Sequence, residues 1–581
     1  MPPSRTETTQ PVSPVQLEIF KNRFASIAEE MGVTLTRTAF SPNIKERRDL
    51  SCALFDARGN MVAQAAHIPV HLGSMPLSVR AVMDEMDELK LGPGDMVMLN
   101  DPYRGGTHLP DITLVAPIYA PGETRPAFFA ANRAHHADVG GMSGGSMPLS
   151  SSLFQEGLII PPVKLLERGR IVEPVLRLVL ANVRTPAERR GDFEAQIMAN
   201  QIGIRRLGEL LASHGTAILT RLADALADYS EALLREVVGR IPDGSYEFSD
   251  ALDDDGQGNG PLAIRLRLSI AGSDAVLDFT SSADQTPGCV NAVRAITLSA
   301  VLYAFLALAR SLFPQRTPPA NAGCLRPLTV RTRPGSLLDA RFPAAVAGGN
   351  VETSQRIVDV VLGALAKALP EIVPAASQGT MNNLTMAGSL PRRMSQRMNR
   401  AMDKPMNGES QDDQAFAYYE TLAGGMGGGP RGPGESALHS HMTNTLNTPV
   451  EALEFAYPLR VTRFGLRSNS GGAGKHPGGR GLVREIMALA PCEATLLTDR
   501  RSGVPYGLQG GGPGTPGRNL LLRPYQEQDQ TTARAEEELP GKAHVLLRPG
   551  DALRMETPGG GGWGAPETTA DSPEDSDMGK E

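Results

Sequence analysis

From Val15 onward, Leu17, Phe20, Phe24, Ile27 and Met31 recur at helical spacing, and Gly32 reads as the stop. Short apolar runs then alternate with turn residues: SCALFD, DMVMLND, DITLVAPIY and AFFAANRAHH. These read as strands. Between Pro186 and about Ile241 the pattern becomes strongly helical, with one long amphipathic run through LADALADYSEALLREVVGRI. PDGSY is a turn and a boundary. After it Leu262, Ile264, Leu266, Leu268 and Ile270 alternate as a half-buried strand that AGSD folds back into AVLDF. Helices are expected over about Ala292–Ser311 and after AGGNVETSQ, where Ile357, Val360, Val361 and Leu365 share a face. From about Ser377 to Trp563 the chain is Gly-rich with few periodic segments, and PRRMSQRMNRAMDKPMNGESQDD looks like an insertion.

The expected class is α+β, mixed and multi-domain, with short strands and Gly-rich loops around a cleft. Residues 1–14 and 566–581 read as disordered tails, the second acidic. Between them lie 15–241, with a helical segment, an α/β middle part at 242–376, and a Gly-rich part at 377–565. At 581 residues the chain exceeds a single core, and no internal repeat stands out.

Composition narrows the function. A net charge of −7 and the lack of a Lys/Arg cluster argue against nucleic acid as a partner. Cys52, Cys289, Cys324 and Cys492 are scattered and form no CxxC, which fits reduced thiols in the cytoplasm. The first residues are polar, unlike a signal peptide. The longest apolar run, about Ala295–Ala309, is too short to span a bilayer and reads as a buried helix. No membrane is expected as a partner.

Three of the ten histidines fall in two short stretches, NDPYRGGTHLPD and AHHADVGG, at or just past strand ends. His108 and Asp111, in H-x-x-D, with His135 or His136, offer two imidazoles and a carboxylate for a divalent ion. The competing reading is a set of partly buried histidines satisfied by hydrogen bonds. His439 and His441 alternate and could also be ligands, but a polar segment lining a cavity or interface fits them better. His67 and His71 read as cleft-lining or structural, since Pro69 argues against a helix there. Glu46 and Asp49 precede an apolar strand and suit ion pairs with Arg47 or Arg48. Two nucleotide and nucleophile patterns fail on context. Gly141-Met-Ser143-Gly-Gly145 has no helix after it, and the run at Gly427–Gly432 continues into PGES. GGAGKHPGG has His476 where a phosphate-binding loop needs Ser or Thr. The chain shows no ATP site of its own.

Taken in order, SPNIKERRDLSCALFD, HIPVHLGSMP, NDPYRGGTHLPDITLVAPIY, AHHADVGG, QEGLIIPPVKL, AVAGGNVETSQR, HMTNTLNTPVE and LRSNSGGAGKHPGGRG resemble the hydantoinase B/oxoprolinase family over about residues 15–565. The family includes N-methylhydantoinase B, the C-terminal half of 5-oxoprolinase and a large subunit of acetone and acetophenone carboxylases. The resemblance implies a heteromeric, ATP-dependent hydrolase of cyclic amides. A hydantoinase A-type ATPase partner would activate the substrate with ATP, and this B-type chain would complete the reaction at a divalent metal (Mn, Fe or Zn). It implies His108, Asp111 and His135 as ligands and Glu46 as a further carboxylate. His136 and Asp138 would orient ligands or relay protons. The metal would polarise the carbonyl and lower the pKa of bound water from about 15.7 toward neutrality. A carboxylase subunit and a non-catalytic scaffold for the ATPase remain as alternatives.

Overall fold

The computed structural model describes residues 12–391, 394, 415–524 and 535–566. Most of both tails and most of the Met/Arg-rich stretch at 391–414 lie outside the described residues. The first helix spans Pro14–Thr38, opened by Ser13, whose hydroxyl accepts from Gln16 N while Gln16 Oε1 accepts from Ser13 N. Gly32 does not stop it. A Cβ there would sit 2.2 Å from the His67 ring, so the glycine serves close packing within a continuing helix.

Seven antiparallel strands form the first sheet: β1 (Leu50–Asp56), β2 (Met61–Gln64), β3 (Met96–Leu99), β4 (Asp111–Ile118), β5 (Phe128–His135), β6 (Val163–Glu167) and β7 (Arg170–Ile171), in the order β2-β1-β5-β4-β3-β6-β7. β1, β3, β4 and β5 are buried on both faces, hence their nearly unbroken apolar runs. Leu54, Phe128, Ala130 and Ala134 pack toward the first helix and the helix Pro186–His214. Ala53, Phe55, Phe129 and Ala131 pack against the helix Met75–Asp84 on the other face. This period of two decides later which histidines can meet.

The expected single helical run is two helices, Pro186–His214 and Thr216–Val238, broken at Gly215, whose φ of 77° a side chain would strain. The turn after them leads into a strand the periodicity did not reveal, β8 (Gly244–Leu252). It pairs with β9 (Leu262–Ala271), which forms the expected hairpin with β10 (Asp274–Asp278); β11 (Leu328–Arg331) closes this sheet in parallel with β10. The helix Arg294–Leu312 has the length and hydropathy of a membrane span, but most of its residues are buried within the protein. It packs beside a second helix, Ser354–Ala368.

The Gly-rich part is more regular than its periodicity suggests. It holds β12 (Asn383–Ser389), β13 (Ala415–Glu420), β14 (Leu459–Leu466), β15 (Leu482–Ala488), β16 (Cys492–Leu497), β17 (Arg518–Arg523), β18 (Ala535–Leu539), β19 (Lys542–Leu547) and β20 (Ala552–Glu556). They form two sheets, β13-β12-β16-β19 and β14-β15-β20-β17-β18. The mixed α+β expectation therefore holds.

Candidate metal centre

The centre is built on one row of the first sheet. Asp111 and His135 are direct cross-strand partners at the ends of β4 and β5, so their side chains share a face. On the other side of β5, Leu50 pairs with Ala134, and the His135 amide donates to the Asp49 carbonyl at 3.1 Å. Asp49 therefore extends the row. His108 joins from the turn before β4, where the Asp111 amide donates to the His108 carbonyl.

One ligand atom from each of His108, Asp111 and His135 falls within 4.8 Å of the others. Asp111 Oδ1 lies 3.2 Å from His108 Nε2 and 3.4 Å from His135 Nδ1, yet has no hydrogen-bond partner. Its other oxygen is fully engaged. Thr107 donates to Oδ2 at 2.8 Å, and His71 Nε2 donates at 3.2 Å while its Nδ1 accepts from Ser51. A carboxylate pinned by one oxygen, with the other aimed at two imidazoles, is the donor arrangement a divalent cation requires.

The His108 tautomer follows from its neighbours. Its Nδ1 lies 3.4 Å from the Ala347 carbonyl, which can only accept, so Nε2 carries the lone pair facing Asp111. Asn350 Nδ2 stands 3.0 Å from that same nitrogen. The His135 ring is stacked on Tyr419, with centroids 4.3 Å apart and planes within 11°. Its Nε2 is buried without a partner.

Electrostatics favour the protonation states that bind metal. Burial alone would raise the Asp111 carboxyl, but the neighbouring His108 and His71 outweigh it and hold it well below the usual range. Burial pushes His71 and His135 down, so their imidazoles are neutral at pH 7. Asp49 is raised, chiefly by burial, against the pull of His135 and Arg47. Asp49, Asp111, His71 and His135 line a cavity of about 20 Å³. That is room for one ion or one water, since a water needs roughly 10–15 Å³ on this measure. The residues present fit a divalent ion.

The remaining expected site residues lie elsewhere. His136 faces the opposite side of the sheet, as alternation requires. Its Nε2 is 2.9 Å from Gln196 Oε1 on the helix Pro186–His214, and its ring packs on Phe193. Burial, then Arg189, pushes it down to about 4. Asp138 accepts from the Arg184 amide at 2.6 Å and pairs with its guanidinium at 2.9 Å, fastening that loop. Glu46 is half-buried just after a short helix and does not line the cavity; Asp49, three residues on, does. His136→Ala is accordingly expected to leave metal content unchanged while costing about 1–3 kcal/mol of stability for the orphaned Gln196. Metal loss as large as that of His108→Ala would contradict this placement.

The family model for hydantoinase B/oxoprolinase matches residues 13–566. The chain belongs to this family. It is 38% identical over 574 residues to 5-oxoprolinase 1 of Arabidopsis thaliana, covering 95% of this chain and 42% of that relative's length. It thus spans about two fifths of that relative. Among solved structures it is similar to the ATP-dependent caprolactamase from Pseudomonas jessenii, with a TM-score of 0.83 and 27% identity, covering 96% of this chain and 92% of that one. A nucleotide-free acetone carboxylase shares the fold, with a TM-score of 0.82 at 17% identity, covering 95% of this chain and 76% of that one.

Within this hydantoinase B-family chain, the Gly-rich motifs have a structural use. Extended glycine segments lie side by side. Gly428 N donates to the Gly561 carbonyl, Gly472 N to Gly560 and Gly479 N to Met426, each at 2.8 Å. A Cβ on Gly478 would stand 1.9 Å from the Gly560 carbonyl oxygen. These amides are spent on neighbouring backbone and are not offered to a phosphate.

Proposed function

We propose that this chain is the metal-bearing component of an ATP-dependent hydrolase that opens cyclic amides, working with a hydantoinase A-type ATPase. The observation that carries the reading is the buried His108–Asp111–His135 cluster, with one unpartnered carboxylate oxygen facing two imidazoles. Similarity to an enzyme named as an ATP-dependent caprolactamase and to a 5-oxoprolinase supports the cyclic-amide substrate class. The engaged amides of the glycine segments and the missing phosphate-loop pattern support a reading in which the partner uses the ATP.

His108, Asp111 and His135, with Asp49 lining the same cavity, would hold a divalent ion (Mn, Fe or Zn), which would supply electrophilic activation of the amide carbonyl and of water. The chain's own residues do the rest. Thr107 and His71 hold Asp111 Oδ2, so that Oδ1 alone turns to the cavity. Ala347 fixes the His108 tautomer, and Tyr419 fixes the plane of His135. Tyr419, Ile68, Val70 and Met381 close the cavity walls and keep bulk water out. The hetero-oligomer is expected in the cytoplasm.

Two expected results test this. The isolated chain should bind ATP no more tightly than millimolar, since no phosphate-cradling loop is present; micromolar binding by calorimetry would contradict it. With the ATPase partner, ATP and a panel of lactams and hydantoins, ring-opened product should form, and neither component alone should produce it. ATP-dependent bicarbonate incorporation without ring opening would instead establish a carboxylase.

A further inference from the structure

Asn350 reaches the metal centre from a distant part of the chain. It sits in the π-helical turn Gly349–Thr353 that opens the helix Ser354–Ala368. It is 4% exposed and lines the same cavity as Asp49, Asp111 and His135. The turn is held firmly. Gly348 N donates to the Cys289 carbonyl at 2.8 Å, the Thr353 hydroxyl donates to the Val290 carbonyl, and Ser354 Oγ donates to the Asn350 carbonyl at 2.8 Å. A Cβ on Gly349 would stand 1.8 Å from the Asn291 carbonyl oxygen, so the backbone beside Asn350 is packed directly against another segment. Turns of this wide kind are rare and occur frequently at functional sites.

The Asn350 side chain meets His108 in a conflict. Its Nδ2 stands 3.0 Å from His108 Nε2, and its Oδ1 is buried with no hydrogen-bond partner. A neutral imidazole has one lone pair to offer, on its unprotonated nitrogen. On His108 Nε2 that pair is claimed twice, by an ion shared with Asp111 Oδ1 and by the Asn350 N–H. Both cannot have it. The two ends of a carboxamide have nearly the same size, and a half-turn about Cβ–Cγ exchanges them with the backbone in place. The exchange trades one unpartnered atom for another. It also brings a carbonyl oxygen to the place the nitrogen holds, 3.0 Å from His108 Nε2. Donors about 2.1 Å from a six-coordinate ion stand about 3.0 Å from their neighbours, whereas a tetrahedral zinc spreads them to about 3.4 Å.

We propose that Asn350 is a further ligand of the divalent ion, through its side-chain oxygen. The inference rests on the metal centre, but not on the reaction performed there. The donors become two imidazole nitrogens and the oxygens of Asp111 and Asn350, with Asp49 lining the same cavity. An oxygen-rich set of this kind suits six-coordinate Mn(II) or Fe(II) better than tetrahedral zinc. The ion then ties the ends of β4 and β5 to the first turn of the helix Ser354–Ala368.

The test titrates the metal-free full chain with Mn(II) and reads the free ion by EPR. The two roles open to Asn350 predict opposite signs. As a ligand, its loss in Asn350→Leu should weaken Mn(II) binding about tenfold or more, while Asn350→Asp keeps an oxygen and should bind at least as tightly as wild type. As a hydrogen-bond donor to His108, Asn350 competes with the ion, so Asn350→Leu should bind Mn(II) equally or more tightly. That result overturns the proposal. A second measurement needs no variant: in wild-type crystals carrying Mn(II), the Asn350 oxygen should lie within about 2.5 Å of the ion, and a separation beyond about 3 Å overturns the proposal. If His108→Ala loses the ion and Asn350→Leu keeps it, the Asn350 assignment falls and the metal centre stands. If wild type binds no Mn(II), both fall. If Asn350→Leu weakens Mn(II) as expected but wild type opens no ring with the ATPase partner, the ligand assignment stands and the hydrolase reading falls.

Discussion

Asp111→Ala is expected to strip most of the bound divalent ion from the chain and to end product formation, while the ATPase partner still hydrolyses some ATP. The carboxylate is the only charged member of the three-residue cluster, and Oδ1 is the one atom that faces both imidazoles. Removing groups that merely orient ligands already costs about 10–100-fold in metal affinity, so losing a ligand itself should exceed that. His108→Ala and His135→Ala should behave alike. Thr107→Ala, which frees Oδ2 from one hydrogen bond, should fall in the 10–100-fold range instead. A purely structural cluster predicts another pattern: lower melting temperature in every variant, with metal content unaffected. Elemental analysis beside a melting curve separates the two.

Arg356→Ala should produce the largest loss of stability. Its guanidinium has no solvent exposure and meets Asp499 at 2.7 Å, Asp250 at 3.1 Å and Asp359 at 3.7 Å. Arg500 and Lys542 share these carboxylates, at 2.7 Å to Asp250 and Asp359 and 3.0 Å to Asp499. The network clamps the helix Ser354–Ala368 to β8 and to the loop after β16. The turn leading into that helix carries Asn350, which touches His108. Removing one partner leaves buried carboxylates uncompensated, at about 3–5 kcal/mol. Burial already raises Asp359 well above its ordinary value, and the lost cation would raise it further. Arg356→Lys should recover only part, because an ammonium cannot span three carboxylates as a guanidinium does. A loss under about 1 kcal/mol by denaturant unfolding would show that the neighbouring Arg500 and Lys542 suffice.

The strands bearing the histidine clusters were legible because their apolar runs are bounded by turn residues, and the H-x-x-D spacing put His108 beside Asp111. What the sequence could not carry was register. Asp49 rather than Glu46 lines the cavity because Asp49 falls on the row shared by Asp111 and His135, a fact of strand pairing. His136 turns away for the same reason: on an extended chain, neighbours face opposite sides. His71 approaches from a short helical turn whose position relative to β4 has no local signal. Gly32 misled because close packing and helix termination favour the same residue. In the C-terminal part, β12 to β20 are short, and the glycine segments packed for backbone contact lie mostly between them, so their apolar runs did not stand out from the Gly-rich background.

Anomalous diffraction at the metal edge, on crystals of the wild-type chain supplied with Mn, Fe or Zn, tests the central claim most directly. The account predicts a peak enclosed by His108, Asp111 and His135, with Asp49 at its edge, that disappears in Asp111→Ala. A wild-type chain that binds no ion there, or binds its ion elsewhere while opening cyclic amides with its partner, would contradict it.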